Sequence, residues 1–226
     1  MVARHERVIV DLGTGDGRAA LTLAETNPRA LVIGIDADAA SMAETSRRAA
    51  RPAHKGGRSN LLFVVAAAES PPPELLGLAH EVRILFPWGS LLRGVLGADA
   101  RVAEGIARLT RPGGRVSAIV SVTPRDGLEA TASFDPAGLA GIGDAARRFD
   151  LRLTATRRAS VEDVRATRST WGRRLLAGAG DRPVWRLEFV NAASSTEADG
   201  RRVREACGMI PGKTLPSDAS IGPETP

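Results

Sequence analysis

The chain has 226 residues, 43% of them hydrophobic and 25% charged, enough to bury one substantial core. A single cysteine, Cys207, excludes an internal disulfide framework, and no apolar run approaches the ~20 residues of a membrane span. The formal charge is +5, and all but two of the 31 basic residues are arginine, a balance that suits a polyanionic partner as well as GC-rich codon usage.

The N-terminus moves from charge directly into RVIVDL (7–12), with no signal-peptide core, so a soluble cytoplasmic protein is expected. Those six residues read as a strand, followed by a helix over GRAALTLAETN that stops before Pro28. ALVIGID (30–36) is a second strand, and Asp38 is the N-cap of the helix after it. NLLFVVAA (60–67) and EVRILF (81–86) are the third and fourth strands. A helix over about 98–110 is expected to stop at the turn RPGG, before a fifth strand at RVSAIVSV (115–122). A helix over 136–149 then leads to the strand LRLTATRR, an arginine-rich linker, and a closing strand VWRLEFV (184–190).

The strands are nearly continuous apolar runs, as required when both faces of a sheet are covered. Their alternation with helices predicts a doubly wound, mostly parallel seven-stranded α/β sheet, with the last two strands antiparallel at one edge. Residues 1–190 are expected to form this domain. From about Asn191 the chain turns Ser-, Gly- and Pro-rich, so 191–226 is expected to be a flexible tail.

The turn after the first strand is DLGTGDG, and its glycines allow close backbone approach to a ligand beside a helix N-terminus. Asp36 ends the second strand where ribose hydroxyls are usually held. A dinucleotide fingerprint would want a small residue at position 18, where Arg18 stands. GxGxG after an acidic strand end instead resembles the opening of S-adenosylmethionine-dependent methyltransferases of the Rossmann-like class. On that pattern Asp11, Gly13, Thr14, Gly15 and Asp36 are cofactor residues, with Ala68 and Glu69 near the adenine edge and Leu85 and Pro87 at the fourth strand end. Glu69 could equally cap a helix before PPPELL, and the glycines could be a purely structural turn.

FPWGSLLRG (86–94) places one of only three tryptophans between a proline and a glycine at a strand-to-helix turn. Trp88 and Trp171 both stand among Pro, Gly, Ser and Arg, whereas Trp185, in VWRLEFV, reads as core. Together, PWGSLLRG and RSTWGRRL (168–175) resemble the aminoglycoside-resistance 16S rRNA methyltransferases that modify N1 of adenine 1408, over roughly residues 7–190. The resemblance implies that Trp88 and Trp171 stack on a flipped adenine, with Ser90 and Ser169 around the base or cofactor. It implies S-adenosyl-L-methionine as methyl donor, 16S rRNA in the assembled 30S subunit as partner and a monomer, while only three histidines and one cysteine argue for no metal. Family members carry an N-terminal hairpin; here the first strand starts by about Arg7, so that hairpin is expected to be missing.

Two arginine-rich stretches fit rRNA backbone contacts. RRAARPAHKGGRSN (47–60) holds Arg47, Arg48, Arg51, Lys55 and Arg58 with no acid, and 147–182 holds ten arginines, Arg173, Arg174 and Arg182 among them, against four acids. Both are expected on loops reachable from one sheet edge, although a charge run is often only a solvated face. The other functional readings are a methyltransferase for a different RNA or a small metabolite, and a cofactor-holding RNA-binding protein with weak or lost catalysis.

Overall fold

The structure is a computed structural model that describes residues 4–123, 126–128, 134–178 and 182–193. Among these residues, seven strands form one sheet: β1 (Arg7–Leu12), β2 (Ala30–Asp36), β3 (Leu61–Val65), β4 (Ala79–Leu85), β5 (Thr110–Val120), β6 (Leu151–Arg158) and β7 (Trp185–Asn191). The helices are α1 (Arg18–Thr26), α2 (Ala39–Ala49), α3 (Gly89–Val95), α4 (Ala100–Leu109), α5 (Pro136–Arg147), α6 (Val161–Ala166) and α7 (Thr170–Ala177).

The strand order is β3-β2-β1-β4-β5-β7-β6. β1 to β5 pair in parallel, while β7 runs antiparallel to both β5 and β6. The closing strand therefore lies one position in from the edge, and β6 is the outer strand. Two antiparallel pairings in succession leave β6 pointing the same way as β1 to β5. Hence the C-terminal ends of six strands face one pole of the sheet.

The apolar runs have a simple geometric cause. Val8, Val10 and Leu12 of β1 join a core with Leu92 of α3 and Val102 and Ile106 of α4. Ile9 points the other way, into a core with Ala20, Leu21 and Ala24 of α1. Alternate residues of one strand thus enter two cores, so both must be apolar. Asp38 caps α2 as expected, its side chain accepting the Ala40 N–H.

Three segments differ from expectation. RPGG is not a turn before the fifth strand but lies inside β5, where pairing jumps from Ala79–Thr110 to Glu81–Arg115. Pro112 cannot donate to a ladder, and the four residues bulge out of it. The arginine-rich linker contains two helices, α6 and α7, each started by a serine. Ser160 forms a capping box with Asp163, and Ser169 accepts the Gly172 N–H. Asn191, read as the start of the tail, ends β7: it is buried, and its amide donates to the carbonyls of Ala107 and Thr110. Of the expected tail, residues 194–226 lie outside the described residues.

Candidate active site

The chain order of the strands reverses between β1 and β4, and the crevice there opens at the C-terminal ends of both, the usual ligand position in such sheets. A cleft of about 750 Å³ occupies it, walled by the β1 turn, the ends of β2, β3 and β4, the start of α3 and the start of α7.

The Gly-rich turn is held both by the neighbouring end of β2 and by its own side chains. The N–H groups of Gly13 and Thr14 both donate to the Ile35 carbonyl, at 2.8 and 3.0 Å. Thr14 donates its hydroxyl to the buried Asp11 carboxylate at 2.6 Å. Burial pushes the Asp11 carboxyl above its usual range, against the opposing pull of the Thr14 hydrogen bond and the Arg83 charge. The Asp36 carboxylate accepts the Gly15 N–H at 2.7 Å through one oxygen and the Asp38 N–H at 3.0 Å through the other. Two close approaches require glycine. At Gly13, with φ of +72°, a methyl group would lie 2.5 Å from Leu91. At Gly105 in α4 it would lie 1.8 Å from the Ala68 carbonyl oxygen, so a bare backbone there lets the β3 exit sit against α4.

The other end of the cleft is aromatic. Phe86 leaves β4 with φ of +51°, a conformation costly for a bulky side chain. Its surroundings hold it there: the N–H donates to the Ile119 carbonyl at 2.7 Å, and the ring is buried with Ile119, Val164 and Val184. After that reversal Pro87 is buried and Trp88 emerges 82% exposed, immediately before α3. Across the mouth, Trp171 on α7 is 45% exposed. Under α7, a methyl group on Gly172 would meet the Phe86 ring at 3.1 Å, so the two aromatic segments share one support.

All nine expected cofactor residues line this one cleft, from Asp11 to Pro87, and so do Trp88, Ser90, Ser169 and Trp171. Ser169 also has a structural duty, its oxygen accepting the Gly172 N–H at 2.9 Å. Glu69 does not cap a helix: Pro72 precedes the 3₁₀ turn Pro73–Leu75, which has no side-chain cap. Trp185 is partly buried and stacks on Phe134 with centroids 4.7 Å apart.

The arginines are placed differently from expectation. They do not share one edge: 47–58 leads into β3 at one side of the sheet, whereas the described part of 147–182 runs from the end of α5 through β6 into α6 and α7 at the other. Because α2 runs back toward the start of β3, Arg51 and Lys55 belong to the pole opposite the cleft. Arg47 and Arg48 are in the last turn of α2 rather than on a loop, and Arg47, Arg48, Arg51 and Lys55 are exposed. Arg58 is engaged locally, ion-paired with Glu25 at 2.5 Å and donating to the Gly57 carbonyl. Arg173 and Arg174 are exposed on α7, and Arg174 lines the cleft. Arg182 lies over Trp171 and donates to the Thr123 hydroxyl at 3.3 Å.

Sequence reading missed Asp16, Thr170, Phe86 and Leu91, which also line the cleft. Leu91 and Phe86 look like ordinary apolar residues, and Thr170 becomes relevant only once α7 is brought over the Gly-rich turn.

The comparisons with known proteins agree with this geometry. The model of the NpmA family, 16S rRNA (adenine(1408)-N(1))-methyltransferase, matches residues 1–190. A protein of that name from Streptoalloteichus tenebrarius is 44% identical over 111 residues, 49% of this chain and 51% of that one. Another from Streptoalloteichus hindustanus is 36% identical over 181 residues, 76% of this chain and 82% of that one. Among solved structures, a variant of the enzyme from Catenulisporales acidiphilia with cosubstrate SAM superposes with a TM-score of 0.77 at 33% identity, covering 86% of this chain and 89% of that one.

Proposed function

The chain belongs to the 16S rRNA (adenine(1408)-N(1))-methyltransferase family, and from that membership we propose that it methylates N1 of adenine 1408 in the 30S subunit, with S-adenosyl-L-methionine as donor. The observation that carries the reading is that one cleft joins the Gly-rich turn and Asp36 to two exposed tryptophans.

The residues at the turn fit the donor. Both Asp36 oxygens are oriented by backbone N–H groups, which leaves lone pairs for the ribose hydroxyls. Gly15, also at positive φ, has no atom within 4 Å of where a side chain would start, so its backbone lies open to a ligand. When bound, S-adenosylmethionine supplies an electrophilic methyl group on a sulfonium.

The chain's own task is positional. Adenine N1 is nucleophilic when neutral, so transfer forms the N1–carbon bond as the sulfur–carbon bond breaks, with no proton to remove first. Aligning the two partners is worth several kcal/mol. Removing the base from its helix costs a few kcal/mol. Stacking on Trp88 and Trp171 offsets this by roughly 1–3 kcal/mol for each face. The methylated ring is cationic, and an indole face accommodates that charge. Arg173 and Arg174, on the same helix as Trp171, would contact phosphates beside the target. Arg47, Arg48, Arg51 and Lys55 would form a second, remote contact, so that shape rather than base sequence selects the rRNA.

A methyl and a positive charge at N1 would weaken drugs that hydrogen-bond there, which makes aminoglycoside resistance the expected phenotype. Primer extension on 30S subunits, incubated with the protein and labelled donor, tests the reading. A new stop at adenine 1408 is expected, and its absence would overturn the substrate assignment.

A further inference from the structure

Asp16 stands in the Gly-rich turn and Thr170 opens α7, 154 residues later in the chain. The Thr170 hydroxyl donates to one Asp16 carboxylate oxygen at 2.6 Å. The other oxygen of Asp16 accepts the Arg18 N–H at 3.2 Å, and its backbone carbonyl accepts the Thr45 hydroxyl at 2.5 Å. Asp16 is thereby tied to α1 and α2, and through Thr170 to α7. On the α7 side, Arg173 donates to the Thr170 oxygen at 3.2 Å.

This contact matters because α7 is thinly packed. Gly172 is its one buried residue, and Leu175 packs only partly against the Phe86 cluster. A short helix with so little burial belongs to the low-stability end of a fold, where single polar contacts decide its position. A short hydrogen bond to a carboxylate is among the stronger polar contacts. It also joins two segments with different tasks: the turn faces the donor, and α7 carries Trp171 and Arg174.

We propose that the Asp16–Thr170 hydrogen bond is a positioning link through which filling the donor end of the cleft orders α7 and so prepares the Trp171 platform. This rests on the reading of the cleft given above. Asp16 and Thr170 are positioning residues, acting through Trp171. Linkage then requires the reverse effect: a base seated against Trp171 tightens donor binding by the same factor.

Hydrogen exchange on the full chain, with and without S-adenosylmethionine, tests the link. In the wild-type chain the donor should slow exchange both in the turn at 13–17 and in α7. Thr170→Val keeps the side-chain size and removes the hydroxyl. In that variant the turn should still gain protection while α7 should not, and kcat/KM on 30S subunits should fall about tenfold, mostly through KM. Thr170→Ser should restore α7 protection, and Asp16→Asn, which keeps an acceptor oxygen, should retain it. Asp16→Ala gives the same readout by a separate route if the valine variant does not fold.

Donor-dependent protection of α7 that survives in Thr170→Val and Asp16→Ala would overturn the proposal, as would no donor effect on wild-type α7. The exchange pattern appearing in a protein that leaves 30S unmodified would uphold the link and sink the substrate assignment instead.

Discussion

The guanidinium of Arg182 sits over the indole of Trp171, 5.7 Å from the ring centroid, and also donates to Thr123. One face of the tryptophan is thus backed by a planar cation, so Arg182 supports the ring rather than standing free for phosphate. Such contacts are worth about 0.5–1 kcal/mol where exposed. Arg182→Ala should therefore lower kcat/KM on 30S subunits by about two- to fivefold. Its dependence on salt should stay close to wild type, unlike that of Arg173→Ala, whose activity should vary less steeply with salt.

Trp88 exposes 82% of its surface, so its removal leaves little cavity. Trp88→Ala should reduce methylation by roughly ten- to a hundredfold, the equivalent of one lost base stack. Melting temperature and donor affinity, measured by calorimetry, should stay near wild type. A matching loss of stability would instead mark the ring as structural.

Gly105 contacts no ligand in this reading, yet its Cα lies where a methyl group would be 1.8 Å from the Ala68 carbonyl oxygen. Gly105→Ala must displace the backbone at the β3 exit. Donor affinity should fall, and stability should drop by about 1–3 kcal/mol, the usual cost of overpacking. Calorimetric titration and thermal unfolding of the same sample check both.

Asp11 couples function to stability. Burial raises its folded-state pKa above the unfolded value, so ionising it favours unfolding: its contribution is complete below pH 3.8 and is lost as pH rises through the raised value. Asp11→Asn should therefore be more stable than wild type at pH 7.5, with the gain shrinking toward pH 4, while donor affinity falls. Unfolding curves across that range read the sign directly.

His80 gives the opposite slope. Its Nδ1 accepts the Val8 N–H at 3.2 Å, and burial, reinforced by Arg111 and Arg7, lowers its folded-state pKa below 6.5. The stabilisation is present above pH 6.5 and is lost as pH falls through the lowered value. As pH falls from 7 to 5, the melting temperature of the wild type should fall relative to that of His80→Gln, a difference that isolates the His80 contribution from the opposing one of Asp11.

Much of this was legible in the residues themselves. Alternate apolar positions of RVIVDL feed two cores, which is why the run had to be continuous and why a covered parallel sheet could be expected. DLGTGDG and Asp36 form a local unit, since the turn and the acid share short hydrogen bonds at adjacent strand ends. The tryptophans stood out because Pro, Gly and Ser around them are poor company for a core ring.

Two of the misreadings concern the arginines. The helices between Arg158 and Trp185 were hidden by arginines, whose charge reads as linker although Ser160 and Ser169 carry cap signals. The placing of Arg47 to Arg58 on the same edge as the later arginines failed because strand order is not written in the sequence: β3 and β6 stand at opposite edges of the sheet. Composition, periodicity and short motifs thus determined the fold class, the Gly-rich turn and the two exposed rings, because each arises within one or two neighbouring elements. Only the tertiary structure decided that β7 inserts beside β5, that Arg182 backs Trp171 and that Thr170 reaches Asp16. Those contacts join segments far apart in the chain, and their partners are set by how layers stack, which no local pattern encodes.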